Sequence, residues 1–384
     1  MRLLSCRSNS VQSPWNATTP PPVVLRIHTQ VDCRLEWEWG ELAAATSRGF
    51  GARPSYALSW FRELGKGQMS VATLHRGGQL VGLLPLHRRR RMGLTVHRWL
   101  GHGLGTVGEG LFHSPGDAKT LLAGLRRRGM LLELTHLCED SPLFAAVQED
   151  PGWHSNFHLD EYCPVIDLPA GTRAATLRST KTLGQLRRAR ARVEKEHGAV
   201  GFQVLQTPAE FQGSWSELAR VAQVARAADP DERSNLFDGE YAAFARYFLN
   251  GEAASGNLCV LGIQVGGRWV GFQVLLCTAG KAELWFTRYD PDFSALKPGH
   301  QIIEYLCDHH EELGIDTFDT MIGRNAYKGE WATSGYEVGT LIAVPAHLRG
   351  ALGLLQGING GYDLIREGAG RLRNSSRGAA LNGV

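Results

Sequence analysis

The chain has 384 residues, of which 43% are hydrophobic and 21% are charged. This is the composition of an ordinary globular protein with two or three domains, and it excludes a mostly disordered chain, a coiled coil and a collagen-like fibre. The 41 Lys and Arg against 38 Asp and Glu leave a formal charge of +3, which gives no general argument for nucleic acid or a membrane surface as a partner.

Targeting and redox signals are weak throughout the chain. Seven cysteines are scattered without a CxxC pair or a Cys/His cluster at zinc-ligand spacing, so we expect reduced thiols and no metal site. The longest apolar runs, such as Leu258–Val265, are far shorter than the roughly 20 residues of a membrane span. Residues 1–24 lack the apolar segment of a signal peptide. We therefore expect a cytoplasmic protein that has no transmembrane segment and does not bind DNA.

Two segments resemble each other and indicate an internal duplication. They are ATLHRGGQLVGLLPL at 72–86 and LGIQVGGRWVGFQVL at 261–275. In each, two β-rich runs flank a Gly-Gly pair, which is typical of a tight hairpin. A later Val-Gly pair in each predicts a bulge or a close backbone approach. Further strands and a helix follow both hairpins, so we expect one mixed α/β sheet in each half.

Hydrophobic periodicity predicts the remaining elements in chain order. In the first half these are strands at Val96–Leu100, Thr106–Phe112 and Met130–Thr135, with helices at Pro115–Arg127 and Ser141–Gln148; Arg88–Arg91 is expected at a hairpin tip. In the second half they are helices at Thr207–Ala227, Gly239–Asn250 and Gln301–Leu313, and strands at Asn257–Val265, Arg268–Cys277, Ala282–Tyr289, Asp316–Met321 and Gly335–Val344.

These patterns divide the chain into four parts. A Ser/Asn/Thr/Pro-rich segment predicts a flexible arm at 1–24, and a Gly-rich stretch predicts a basic tail at 346–384. Between them, the strand Cys163–Leu168 precedes a basic helix and marks a boundary, so we expect an N-terminal domain at 25–165 and a C-terminal domain at 166–345.

The second half carries the pattern of a known superfamily. The motifs are Tyr289-Asp290-Pro291, Leu296-Lys297-Pro298-Gly299-His300-Gln301 before a helix, Asp319-Thr320-Met321-Ile322-Gly323, and Tyr327-Lys328-Gly329-Glu330-Trp331. They resemble the GNAT acyltransferases, and more narrowly the branch named after the cellulose-biosynthesis-associated protein CelD. The tandem architecture of that branch is shared with the FemABX aminoacyl transferases. The resemblance covers about residues 35–345 and implies an α/β (α+β) fold of two tandem GNAT-like mixed-sheet domains.

What the resemblance implies is acyl transfer from a thioester, usually acetyl-CoA or a longer acyl-CoA, to an amine or hydroxyl of a small-molecule, sugar or lipid acceptor, without a metal. One departure concerns the usual pyrophosphate loop, Q/R-x-x-G-x-G/A, because Ser294–Gln301 contains a single glycine. Two alternatives stay open. One is an aminoacyl-tRNA donor, as in FemABX; the other is a non-catalytic module in polysaccharide or lipid assembly. Peripheral membrane contact also stays open.

Two basic segments are candidates for binding the donor. Lys297, Gly299, His300 and Gln301 stand at a helix start, where free amides and a partial positive charge suit phosphate; the alternative is an ordinary turn. The stretch Thr172–His197 has a charge of +6. Its Arg187 and Arg188 are candidates for binding phosphates of a nucleotide, a lipid head group or tRNA, and the alternative is a solvated helix face.

Five further residues are candidates for catalysis. Asp319 is a candidate general base or an Asx turn. Tyr327 is placed to protonate a leaving thiolate and Lys328 to bind an anion, unless the first is a packed tyrosine and the second a solvated lysine. Glu283 and Tyr289 are expected on one face of a strand. They are either a base and an acid, or an edge carboxylate beside packed aromatic side chains.

Two apparent motifs are excluded. The stretch 103–108 matches G-x-G-x-x-G, but no helix pattern follows it, so we exclude dinucleotide binding. His309 and His310 point in diverging directions on a helix, so we expect surface histidines rather than a metal site.

Overall fold

The computed structural model describes residues 21–46, 49–91, 93–228, 236–323 and 326–357. The strands of the first half are β1 (Val23–His28), β2 (Gln68–Met69), β3 (Val71–Arg76), β4 (Gln79–Leu84), β5 (Leu86–Arg91), β6 (Leu94–Trp99), β7 (Leu111–Phe112), β8 (Leu131–Cys138) and β9 (Trp153–Asp167). Its helices are α1 (Cys33–Thr46), α2 (Pro54–Leu64), α3 (Pro115–Arg127) and α4 (Pro142–Glu149).

The second half repeats this pattern of strands and helices. Its strands are β10 (Val200–Leu205), β11 (Leu258–Val265), β12 (Arg268–Thr278), β13 (Lys281–Tyr289), β14 (Thr317–Asp319) and β15 (Ser334–Pro345). Its helices are α5 (Ala174–Leu177), α6 (Thr180–His197), α7 (Pro208–Ala228), α8 (Gly239–Ala254), α9 (Pro298–His309) and α10 (Ala326–Trp331). The predicted mixed α/β class is confirmed.

The internal duplication appears in the strand order. Strands β1-β3-β4-β7 form a four-stranded sheet, and β10-β11-β12-β13 follow in the same order within an eleven-stranded sheet. Both Gly-Gly pairs have two positive φ angles, as a two-residue hairpin turn of type I′ requires. Both hairpins also contain a register shift at the same place, next to the pairs Leu74–Gly82 and Ile263–Gly271.

The last strands of the two halves are exchanged. The larger sheet runs β10-β11-β12-β13-β14-β9-β15-β8-β6-β5-β2. Strand β9 of the first half therefore pairs with β14 of the second, and β15 of the second half pairs with β8 of the first. Strands β9 and β15 also pair with each other from Ser334–Val165 to Pro345–Trp153. The sheet is consequently continuous across the predicted boundary at 165/166.

Aromatic packing joins the halves on one face of the sheet. Phe50 and Tyr56 come from the first half, and Phe248 and Trp285 from the second. The ring centroids of Phe50 and Trp285 lie 5.5 Å apart, and those of Tyr56 and Phe248 lie 5.3 Å apart. All four side chains are buried. Such a cluster buries a large apolar area between the halves, which favours a fixed relative position.

Several predicted elements differ from the structure. The strand expected at Thr106–Phe112 shrinks to Leu111–Phe112, because glycines with positive φ at 103 and 105 give the preceding chain an irregular path. Arg88–Arg91 is not a hairpin tip but lies within β5, where Arg91 bonds Glu133 at 2.6 Å. Helix α9 begins three residues earlier than predicted, because Pro298 takes the first helical position.

Both predicted terminal segments lie mainly outside the described residues. These outside parts are 1–20 of the arm and 358–384 of the tail. Val23 and Val24 already belong to β1, and residues 349–357 are helical with Leu355 buried. The six described cysteines are free thiols. None of the helices in the described ranges has both the length and the apolar character needed to cross a bilayer.

A buried histidine, His87, packs against a half-buried one, His102, in the first half. The rings of His87 and His102 stack with centroids 5.0 Å apart, and Trp60 packs edge-on against His87. Burial, reinforced by the positive charge of Arg98, lowers the pKa of His87 to about 4 and that of His102 to about 3. Both imidazoles are therefore neutral at pH 7.

This pair predicts a sensitivity to acid. In the unfolded chain each histidine binds a proton near pH 6.5, whereas the folded protein resists protonation of both until pH 4 or below. The unfolded state thus binds more protons between these values, so stability falls as the pH falls, by about 1.4 kcal/mol per pH unit for each histidine. Urea unfolding at pH 7 and pH 4.5 should show a smaller loss in a His87→Gln/His102→Gln variant. An unchanged loss would assign the acid sensitivity to other groups.

Candidate active site

A cavity of about 640 Å³ lies where β13 ends and α9 begins. Its walls come from β13, from the turn before α9, from the first turn of α9, from α10 and from the end of α7. The lining residues are Ala225, Ala228, Thr287, Arg288, Tyr289, Pro291, Ser294, Lys297, Pro298, Gly299, His300, Ile302 and Tyr327. Five of the predicted site residues therefore meet in one cavity, namely Tyr289, Lys297, Gly299, His300 and Tyr327.

The start of α9 presents free backbone amides to this cavity. Lys297 precedes the helix in the left-handed conformation (φ 58°, ψ 57°) and gives no side-chain cap. Pro298 has no N–H group, and the first intrahelical bond is donated by Gln301 N to Lys297 O at 3.1 Å. The amides of Gly299 and His300 lie before that bond. Together with the exposed Lys297 cation they form a site suited to an anion.

Glycine at 271 explains why α9 lies so close to the sheet. A Cβ atom on Gly271 would lie 3.1 Å from Cβ of Pro298 and 3.2 Å from Cβ of Tyr289. Any side chain here would push away the helix start that forms the cavity wall. Gly82 occupies the equivalent place in the first half, where a Cβ would lie 3.5 Å from Leu121 of α3.

The equivalent helix start in the first half is already occupied. Ser114 caps α3, and its hydroxyl donates to the Asp117 carboxylate at 2.6 Å. Asp117 is buried and also pairs with Arg76. A carboxylate thus stands where the second half has His300, and it would repel an incoming phosphate. Of the two duplicated helix starts, the one in the second half is open to an anionic ligand.

The strands β13 and β14 separate beside the cavity. They pair in parallel only over Lys281–Glu283 with Thr317–Asp319. Immediately afterwards the register with β12 shifts, so that Trp285 has no partner residue on β12. This bulge and the end of β14 leave the later edge of β13 without a strand partner within the described ranges. Backbone N–H groups on such an edge are available to a ligand.

A buried ionic network holds the strands together just before they separate. Lys281 Nζ lies 2.8 Å from Asp319 Oδ2 and 3.3 Å from Glu283 Oε1. Asp319 also accepts from the Tyr336 hydroxyl and the Met321 amide, each at 2.8 Å. Glu283 accepts the Phe50 amide of the first half at 2.8 Å. The oxygens of both carboxylates are thus engaged by internal donors, and the pKa of Lys281 is raised by the two carboxylates against the effect of burial.

Lys328 is buried beneath the chain that follows β14. Its Nζ donates to Thr320 O at 2.8 Å and to Ile322 O at 3.2 Å. Burial lowers its pKa to about 8. Lys328 therefore ties together the turn that leaves β14 and does not line the cavity.

The rings of Tyr327 and His300 pack against each other in the cavity wall, with centroids 5.5 Å apart. The Tyr327 ring packs on Gly299, where a Cβ would approach it to 3.0 Å. Trp331 Nε1 donates to His300 Nδ1 at 3.0 Å, so Nε2 is the nitrogen that carries the proton in the neutral ring. Burial keeps His300 neutral by lowering its pKa and raises the pKa of Tyr327.

The remaining predicted site residues lie away from the cavity. Gln301 is buried, and its amide bonds Leu186 O, Leu296 O and Arg190. Arg187 and Arg188 are exposed on α6. The expectation of surface histidines fails for His310, which is buried and bonds Ile315 O at 2.7 Å. Metal ligands are not grouped in threes anywhere in the described part of the chain.

Sequence reasoning missed four residues around the site, namely Lys281, Tyr336, Gln273 and Thr287. Lys281 and Glu283 alternate on one strand, which was a usable signal for a pair. Tyr336 reaches Asp319 only because β15 crosses beside β9, which no local pattern reveals. Gln273 and Thr287 are opposite each other on β12 and β13, and their polarity in otherwise apolar strands was the available signal.

Comparison with known proteins now defines the class. Residues 180–329 match the acetyltransferase (GNAT) domain family. This segment contains the helix start, the strand separation and Tyr327, so residues 180–329 form a GNAT-fold acetyltransferase domain. Comparison with curated proteins gave no significant match.

Solved structures share the fold over most of the chain. FemX has 10% identity and a TM-score of 0.57, with 80% of this chain and 95% of that chain covered. A Bacteroides thetaiotaomicron protein of unknown function has 10% identity and a TM-score of 0.54, with 84% and 100% covered. The C-terminal domain of an Agrobacterium fabrum protein assigned as a lysylphosphatidylglycerol synthetase has 13% identity and a TM-score of 0.52, with 84% and 96% covered. At these identities the likeness establishes the fold alone.

The ionic network predicts a loss of stability on removing its cation. Lys281→Met leaves the buried carboxylates of Glu283 and Asp319 without their partner. We expect unfolding free energy to fall by about 2–3 kcal/mol, less than for a fully buried pair because Lys281 is about one-third exposed. Urea unfolding at pH 7 measures this. Lys119→Met, which breaks only the exposed pair with Glu149, is the control and should cost about 0.5 kcal/mol or less. Equal effects of the two substitutions would contradict the role of the network.

Proposed function

We propose that the protein transfers an acyl group from acyl-CoA, acetyl or longer, to an amine or hydroxyl of a small-molecule, sugar or lipid acceptor. The observation that carries the proposal is the open start of α9. There, two free amides and Lys297 meet in a cavity that extends to Tyr327 and the separated edge of β13. An elongated ligand with phosphate at one end and a thioester at the other fits this arrangement of groups.

Each end of the cavity has a chemical role in this proposal. The amides of Gly299 and His300, with Lys297, would hold donor phosphates. Backbone N–H groups on the unpaired edge of β13 would stabilise the oxyanion that forms as the acceptor attacks the thioester carbonyl. Tyr327 would give its proton to the departing sulfur. Asp319, Glu283 and Lys328 would fix the point where β13 and β14 separate.

The finer assignment is also part of the proposal. Within the superfamily we place the chain near the CelD-like branch, on the motif spacing of the second half, and we place the protein in the cytoplasm. Tyr289, whose side chain is 45% exposed at the mouth of the cavity, would contact the acceptor.

One observation on α6 favours a second candidate donor, aminoacyl-tRNA. Lys181, Arg188, Arg192 and Lys195 are exposed at spacings of seven, four and three residues, which places them along one face of the helix. None of these four has an ion-pair partner within the described residues. Helix α6 also contacts α9, through Leu186 O and Gln301. A polyanion such as aminoacyl-tRNA, the donor of the FemABX transferases, would fit such a stripe.

Removing the Lys297 charge should weaken donor binding. Lys297→Asn is the sharpest variant, because Asn tolerates the left-handed conformation of this residue. We expect the Kd for acyl-CoA to rise about tenfold, as for loss of one charge-assisted phosphate contact, with little change in kcat. Calorimetry with acetyl-CoA and a longer acyl-CoA measures the Kd, and Lys119→Asn on α3 is the charge-matched control. An unchanged Kd would show that the donor phosphates do not bind at the start of α9.

A second pair of measurements distinguishes an acyl-CoA donor from an aminoacyl-tRNA donor. Binding of acetyl-CoA and of an aminoacylated RNA minihelix is compared for the wild type and for a variant with Lys181, Arg188, Arg192 and Lys195 changed to Gln. For an acyl-CoA donor, acetyl-CoA binds both proteins alike. If acetyl-CoA fails to bind at millimolar concentration while the RNA binds only the wild type, the donor is aminoacyl-tRNA and our leading proposal is wrong.

A further inference from the structure

Three polar atoms beneath the cavity lack well-aligned hydrogen bonds. They are the side-chain nitrogen and oxygen of Gln273 and the hydroxyl of Tyr327. Gln273 is fully buried between β11 and β13. The cost of leaving such groups unpaired is large, and a fold retains them where the site uses them. An apolar side chain of the same length would fill this position in a purely structural sheet.

The geometry joins these atoms to the reacting end of the cavity. Gln273 lies opposite Thr287 in the pairing of β12 with β13, and the Tyr327 hydroxyl lies beside both side chains. Thr287 and Tyr327 line the cavity, whereas Gln273 lies behind them. Gln273 can therefore reach a ligand only through Tyr327 or Thr287.

The hydroxyl hydrogen of Thr287 already forms a hydrogen bond within the protein. Its hydroxyl donates to Phe272 O at 3.2 Å, so it can accept a hydrogen bond from Tyr327 but not donate one to it. The titratable groups that face Tyr327 are Tyr289 on β13 and His300 on α9, and the latter is held neutral. Among the described residues around this hydroxyl, the Gln273 amide is the donor able to stabilise a phenolate.

We propose that Gln273 is a positioning residue for Tyr327, an inference that rests on the proposed acyl transfer. The Gln273 Nε2–H group donates to the Tyr327 oxygen and directs the hydroxyl hydrogen into the cavity. As the acceptor nitrogen bonds to the acyl carbon, the carbon–sulfur bond breaks and sulfur keeps the electron pair. Sulfur then takes the Tyr327 proton, the acceptor amine loses its proton to water, and the phenolate keeps the Gln273 hydrogen bond until solvent reprotonates it.

The substitution Gln273→Met tests this proposal, because methionine has nearly the same length and no donor. We expect kcat to fall about tenfold, a modest share of a general-acid effect, with the donor KM unchanged. The alkaline limb of the kcat profile should move to higher pH, because the phenolate is no longer stabilised. In a Tyr327→Phe background the same substitution should change nothing further. A tenfold loss in that background as well would make Gln273 merely structural.

A spectroscopic measurement keeps the test independent of the reaction. Alkaline absorbance titration of the wild type, minus that of Tyr327→Phe, reports ionisation of Tyr327. Gln273→Met should raise its midpoint by about one pH unit, and Gln273→Glu should raise it further, because a carboxylate disfavours a neighbouring phenolate. An unchanged midpoint overturns the proposal even if the enzyme is active. If no thioester is cleaved but the midpoint moves, the proposed function fails while the Gln273–Tyr327 coupling stands.

Stability supplies the matched control. Gln264 lies on the neighbouring strand β11 and has a bonded amide, since its Nε2 donates to Gln203 Oε1 at 2.7 Å. Gln264→Met should lower the urea midpoint and leave the Tyr327 titration unchanged. Gln273→Met should lower the urea midpoint less than Gln264→Met does, because it also removes a buried amide oxygen that has no hydrogen-bond partner. If Gln273→Met instead destabilises the protein as Gln264→Met does, the amide is structural and the proposal fails.

Discussion

The exchange of the last strands is the constraint on which the rest of the structure depends. Because β9 inserts between β14 and β15, Asp319 is flanked by Glu283 on one side and Val165 on the other. Strand β15 then carries Tyr336 to within 2.8 Å of Asp319. The buried network of Lys281, Glu283 and Asp319 thus lies on strands of the second half, but it is bordered by β9 and bonded by the Phe50 amide of the first half. Neither half could assemble this junction alone, so the separation of β13 from β14 is a property of the whole sheet.

Two local features turn that junction into a site. The unpaired Trp285 bends β13 where its pairing with β14 stops, so the strand edge opens beside the cavity rather than closing on a neighbour. Gly271 lets α9 approach the sheet closely, which brings the amides of Gly299 and His300 to the same opening. The bulge and the glycine act on different strands. Their effects converge because β12 and β13 are adjacent, and the cavity lies between them and the helix.

Local chemistry made much of the second half predictable. The Gly-Gly hairpins and a helix soon after Lys297 follow from residues close in sequence, although the helix begins at Pro298 and not at the predicted Gln301. The structure places Tyr327, His300 and Lys297 in one cavity. The strand exchange could not be predicted in this way, because β8 with β15 and β9 with β14 are pairings between residues about 150 to 210 apart in sequence. Tyr336 depends entirely on that exchange. Asp319 was found from its motif. Its bonds to Lys281 and Tyr336 could not be predicted, because those residues lie on strands that are distant in sequence.

The helix starts of the duplicated halves have equivalent positions but different charges. Both contain a glycine that admits a helix start, and both helices begin with Pro-Gly, at Pro115 and Pro298. In the first half the Ser114 hydroxyl accepts the Asp117 amide and donates to the Asp117 carboxylate, which also pairs with Arg76. In the second half Lys297 and the neutral His300 leave the equivalent amides open to an anion. A helix start that supplies its own carboxylate gains stability and loses the ability to bind a ligand. The two helix starts thus lie at equivalent positions, and Ser114 and Asp117 in the first half, in place of Lys297 and His300 in the second, account for the difference in charge.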